Sequence, residues 1–270
     1  MCEISLKQVS TEHKEYLKKV KKQALLIRIT QIVILIVFFG VWELAARFGI
    51  IDAFLFSQPS RMLKTIFALT ENGSLFMHIW VTLSETIIGF ASGTLLGIVI
   101  AVILWWSDFI SRVSEPYLIV LNSLPKIALG PIFIVWMGNG KAPIIVMALA
   151  ISLIVTIISL ENGFSQVDEE KIKLLKTFGA TKTQILTKCI LPASIPTIMS
   201  AIKINMGLSW VGVITGEFLV SKAGLGYLIV YGGQIFKLDI VMSSVLILSL
   251  LSAAMYLLIV YMEKKIVNWN

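Results

Sequence analysis

The stretch Ile32-Val-Ile-Leu-Ile-Val-Phe-Phe39 contains no charge, no amide and no helix breaker. It forms the centre of an apolar segment running from about Leu25 to Ala46. A helix rises 1.5 Å per residue, so about 20 such residues cross a hydrocarbon core of roughly 30 Å. The segment is too long for a signal-peptide core and has no small-residue cleavage site before Glu43 and Arg47, so it is expected to remain as an anchor.

The same test applied outward finds further apolar segments: Thr82 to Trp106, Val113 to Met137, Ala142 to Leu160, Ile195 to Ile214 and Ile240 to Tyr261. Across all 270 residues, 57% are hydrophobic and 14% charged, far from the composition of a soluble domain. These features predict an all-α, polytopic membrane protein with six transmembrane helices over residues 25–262. A basic segment (1–24) precedes them and a short tail (263–270) follows. Asp52 to Pro59 reads as a turn-rich link, and Ser60 to Leu69 as a short interfacial helix.

The segments are not alike. Gly89, Gly93 and Gly97 put small residues on one helix face, where a neighbouring helix can come close. Pro116, Pro125 and Pro131 break the third segment, which should therefore face protein or a wet cavity. Gly224, Gly226, Gly232 and Gly233 fill the connection before the last segment, leaving open whether it turns back within the membrane. From about 163 to 191 the chain is amphipathic and charged, as expected of a folded helical loop.

The formal charge of +7 follows this topology. Six lysines lie in the first 22 residues, and Lys171, Lys173, Lys176, Lys182 and Lys188 follow in the long loop, with Lys264 and Lys265 near the end. Six crossings put all three groups on one face, which the positive-inside rule makes cytoplasmic. Both termini are then cytoplasmic, and the charge is explained by lipid contact without nucleic acid. Cys2 and Cys189 support neither a disulfide framework nor a thiolate metal site. His13 and His78 belong to no recognisable metal-ligand cluster, which argues against a membrane enzyme built on His78, Glu85 and Glu217. No Gly-rich phosphate loop followed by Lys and Ser or Thr is visible, so ATP hydrolysis is not expected of this chain.

The long loop carries Gly179 and the ending Leu191-Pro192. Their spacing resembles the cytoplasmic coupling loop of permease subunits in binding-protein-dependent ABC importers. The family's Glu-Ala-Ala falls on Lys173, Leu174 and Leu175 and is not retained, although Glu169 and Glu170 supply acidic groups nearby. Ser114-Glu-Pro116, Leu124-Pro125, Pro131, Phe133, Trp136, Gly138, Gly140 and Ala223-Gly-Leu-Gly-Tyr-Leu228 look like the nitrate, sulfonate and taurine branch.

The resemblance implies a permease of a prokaryotic inner or plasma membrane that carries a small anion such as an aliphatic sulfonate, nitrate or taurine. A vitamin precursor is the alternative cargo, and a non-transporting membrane adaptor the alternative class. It further implies a second permease copy, two cytoplasmic ATPases holding ATP and Mg, and an extracytoplasmic binding protein, with no cofactor in this chain. The expected coupling residues are Glu169, Glu170, Ile172, Leu175, Phe178 and Gly179, with Leu174 beside them and Leu191 and Pro192 at the loop exit. Gly179 would end or bend the docking helix. Lys126, Lys203, Asn205, Ser209, Trp210 and Glu217 are expected to line the path or an interface, and Glu85, like Glu217, to lie near a membrane end.

Overall fold

The structure, a computed structural model, describes Thr11–Ile266. The start of the basic segment and the last four residues of the expected tail lie outside the described residues. The chain forms two compact units, one up to Lys64 and one from Thr65.

In the first unit, α1 (Thr11–Arg47) is a single helix of 37 residues, about 55 Å long. It begins well before the expected Leu25, because the lysine-rich stretch has no breaker and continues the same helix. Its apolar side chains from Ile32 to Phe38 point outward, as suits a lipid-facing helix. At its end Glu43 pairs with Arg47 at 2.9 Å and accepts the Ser60 N–H at 3.0 Å. That staples the beginning of α3 (Pro59–Glu71) to α1. Between them is the short α2 (Ala53–Phe56), capped by Asp52 Oδ1, which accepts the Phe54 N–H at 2.7 Å.

The second unit contains α4 (Ser74–Trp106), α5 (Asp108–Ser123), α6 (Gly130–Met137), α7 (Lys141–Ser165), α8 (Glu169–Thr177), α9 (Lys182–Ile185), α10 (Leu191–Val220), α11 (Leu225–Gln234) and α12 (Leu238–Ile266). Among the described residues five tracts are long and apolar enough to span a membrane, and α5 with α6, counted as one broken span, makes six. The break has a local cause. Leu124 precedes a proline and is held extended, at φ −65° and ψ 137°. A 3₁₀ turn over Lys126–Leu129 follows, and α6 leaves at 85° to α5 with Pro131 in its first turn.

The fifth expected segment needs correction. No helix opens at Ile195. The helical tract starts at Lys182, behind a Thr181/Gln184 capping box, and runs through to Val220. Pro192 has no N–H to offer the preceding turn, and a π-helical turn over Leu186–Ile190 sits immediately before it.

α7 is the central helix, packed between α4 and α10. Gly89, Gly93 and Gly97 of α4 face Ala148, Ser152 and Thr156 of α7, with the same four-residue step on both sides. A Cβ at the three glycines would lie 2.8, 2.5 and 2.6 Å from those side chains, so only glycine permits this approach. α7 also meets Gly212 and Gly216 of α10, through the backbone of Ala148 and through Ile144. α11 has ten residues, about 15 Å, too short to cross. It packs on α12 through Leu225, Leu228 and Ile247.

Candidate functional site

The charged loop folds as helix, turn, helix. Asp168 Oδ1 accepts the Glu170 N–H at 2.9 Å and caps α8, whose first turn carries Glu169 and Glu170 at the positive end of the helix dipole. At the other end Gly179 has φ +77°. Its N–H donates to the Lys176 carbonyl, and the Ala180 N–H to that of Leu175, both at 3.0 Å. This is a Schellman motif with glycine in the left-handed position, accompanied by packing of Ala180 and Leu175 on one apolar cluster.

Sequence reasoning put Ile172, Leu174, Leu175 and Phe178 on one docking face. The structure divides them. Ile172 and Leu175 turn inward, onto the cluster built by Leu160, Phe164, Ile185 and Ile190. Leu174 and Phe178 remain 56% and 79% exposed. The inner pair fastens α8 to the ends of α7 and α10, leaving the outer pair as the free apolar surface of the loop. Lys182 is not a free rim charge either: its Nζ donates to the Trp106 carbonyl at 2.5 Å and lies 5.8 and 5.6 Å from the ring centres of Trp105 and Trp106. Leu191 and Pro192 are half-buried within the continuous helix.

The residues expected along a path are dispersed. Asn205, 1% exposed, donates from Nδ2 to Thr94 Oγ1 at 2.5 Å and bolts α10 to α4. Ser209 is buried and donates to the Asn205 carbonyl at 2.8 Å. Trp210 is buried at the edge of an open, mainly apolar groove of about 720 Å³ between α10 and α12, with Nε1 unpartnered. Lys203 pairs with Glu263 of α12 at 2.8 Å, both half-buried. Lys126 Nζ donates to the Asn122 carbonyl at 3.0 Å, capping the broken end of α5.

Glu85 of α4 and Glu217, three residues before the end of α10, are each 1% exposed. The i, i+4, i+7 spacing of His78, Thr82 and Glu85 puts all three on one face of α4. His78 Nδ1 accepts the Gly224 N–H at 2.9 Å, Thr82 Oγ1 the Leu225 N–H at 2.7 Å, and Glu217 Oε2 the Gly226 N–H at 2.6 Å. The start of α11 is therefore capped by side chains of two other helices. Among the described residues no group of three or more His, Cys, Asp or Glu is arranged to hold a metal ion.

Residues 93–268 match the family model for the binding-protein-dependent transport system inner membrane component, and the chain belongs to that family. It is thus a transport permease, a membrane component of ABC-type importers, and not the ATP-hydrolysing subunit. A probable ABC transporter permease protein of Haemophilus influenzae is 30% identical over 216 residues, 80% of this chain and 87% of the relative. A putative aliphatic sulfonates transport permease protein of Bacillus subtilis is 25% identical over 234 residues, 87% of this chain and 85% of the relative. Among solved structures, a chain of the MetNI methionine ABC transporter in an inward-facing conformation superposes with a TM-score of 0.62 at 22% identity, covering 72% of this chain and 94% of that one, a likeness of fold.

Proposed function

We propose that this chain forms, with a second copy of itself, the membrane path of an ATP-driven importer for a small anion, an aliphatic sulfonate before nitrate or taurine. The observation that carries the reading is the exposed Leu174 and Phe178 pair on a helix whose other apolar face is fixed to the core. A surface held this way gives an ATPase an apolar socket partner, and it passes motion to α7 and α10 through Ile172 and Leu175. The sulfonate relative supports the cargo. The acidic first turn, Glu169 and Glu170, lies at the rim of that contact, and Gly179 shapes its far end. Two cytoplasmic ATPases would hold ATP and Mg, and an extracytoplasmic protein would deliver cargo. Both termini would be cytoplasmic.

The test is reconstitution in liposomes with the candidate ATPase and binding protein, followed by ATP-dependent uptake of a labelled alkanesulfonate. Competition by excess alkanesulfonate but not by a vitamin precursor is the expected result. The reverse pattern would overturn the cargo, and uptake that persists with ATP hydrolysis blocked would overturn the mechanism. Native mass measurement should find two permease copies, and tags at the two ends should be accessible from the same, inner side.

A further inference from the structure

The transport reading gives the loop two receivers, α7 and α10, and leaves Lys182 without a part. Lys182 opens α9, where a capping box fixes its backbone: the Gln184 N–H donates to Thr181 Oγ1 at 3.3 Å and the Thr181 N–H to Gln184 Oε1 at 2.9 Å. From that base its side chain crosses to the end of α4, at Trp106, 76 residues earlier in the chain.

Three attractions coincide there. The Trp106 carbonyl is the last of α4, and the last carbonyls of a helix have no donor within it, so Nζ at 2.5 Å supplies one. The same end carries the negative pole of the helix dipole, which favours a cation. The ring centres of Trp105 and Trp106 lie 5.8 and 5.6 Å from Nζ, where an ammonium is drawn to an aromatic face. A neutral side chain of the same length would keep the stem and lose all three.

The other contacts between α4 and the loop are of a different kind. Ala101 and Trp105 touch the apolar cluster that receives Ile172 and Leu175, and apolar burial has no preferred direction. A crevice of about 520 Å³ also opens there, lined by Trp105, Asp108, Glu169, Lys173, Lys176 and Lys182, so α8 is not packed solidly on the end of α4. Lys173 pairs with Glu169 at 3.2 Å within α8 itself. Lys182 joins the loop to α4 in a fixed direction.

We infer that Lys182 is a positioning residue for coupling: clamped on the end of α4, it makes α4 a third helix that follows the loop. This rests on the docking of an ATPase at Leu174 and Phe178. Lys182 is not part of that docking surface, so its loss should leave attachment intact and uncouple the hydrolysis that follows from import.

The experiment places spin labels at Thr183 of α9 and Val99 of α4, both exposed, in the full chain with Cys2 and Cys189 changed to Ser. Pulsed-EPR distances are measured in nanodiscs for the permease alone, with ATPase, and with ATPase trapped on ATP. The native permease should show one narrow distance, the same in all three states. Lys182→Met should broaden it in the permease alone and let it shift on trapping. Cargo imported per ATP hydrolysed should fall by about ten-fold in that variant, with ATPase affinity changed by less than about two-fold. Lys182→Arg keeps the charge and should restore both readings, and Lys176→Met, in the same crevice, should leave both as in the native protein. A broad distribution in the native permease would overturn the inference and needs no variant to fold. So would a narrow distance with normal coupling in Lys182→Met, or an Arg variant as impaired as the Met one. Failure of ATP-driven uptake in the native assembly would instead remove the docking reading, and the distances in the permease alone would still test the clamp.

Discussion

Gly179 allows a backbone argument to be separated from a steric one. Its φ of +77° lies in the left-handed region, and a Cβ built there meets nothing within 4 Å. A substitution therefore acts through the dihedral alone. An ordinary L-residue costs about 1–2 kcal/mol in that conformation, a β-branched one more, and Asn less because it tolerates the region. If the joint must form before an ATPase can dock, 1–2 kcal/mol weakens docking by about 5–30-fold. The expected order of affinity and of ATP-dependent uptake is Gly, then Asn, then Ala, then Val. The assay is ATPase binding to permease in nanodiscs together with uptake in liposomes. Insertion should be measured separately, since losing the turn also loosens Leu175 and Ala180 from the core. A Val variant with normal binding and uptake would refute the reasoning. An Asn variant as impaired as Val would show that side-chain bulk against the partner matters, not φ.

Phe178→Ala should weaken ATPase binding by about 30-fold, as removal of a buried interface aromatic does, while Lys173→Ala, whose partner Glu169 is equally solvated at 3.2 Å, should change it by less than about two-fold. Binding measurements on the two variants test the comparison, and equal losses would move the contact elsewhere. Gly93→Leu should separate α4 from α7 and cost about 1–3 kcal/mol or more, lowering the thermal midpoint in detergent, because its first carbon already meets Ser152 Oγ. Lys203→Met and Glu263→Gln should each destabilise the protein more than their combination does, with a coupling of about 0.5–3 kcal/mol in a double-mutant cycle.

What was legible in the sequence depended on period and length. Uncharged runs such as Ile32 to Phe39 reveal a spanning helix because the hydrocarbon core sets one length for all of them. Pro125 reveals the break in the third span because proline restricts its own neighbour. Gly179 was readable for a similar reason, since its constraint is local. Pairing across the fold was not. His78 and Gly224 lie far apart in sequence, and nothing near either residue tells that the ring of one accepts the N–H of the other. The inward turn of Ile172 and Leu175 was hidden in another way: an amphipathic helix shows that it has an apolar face, but not whether its own chain or a partner covers it. The start of the fifth segment was set too late, at Ile195, because the tract from Lys182 to Ile190 carries charged and polar residues and its continuity with α10 does not show in hydropathy.

The matched small residues of α4, α7 and α10 leave almost no compressible space between the three helices. Close-packed interiors transmit strain instead of absorbing it. The trio should therefore behave as a stiff beam, with α8 fastened near one end and the cap of α11 at the other. A tilt applied at the loop arrives at the far end nearly undiminished, and the compliance that a transport cycle requires must come from elements outside the beam, foremost the 85° elbow between α5 and α6.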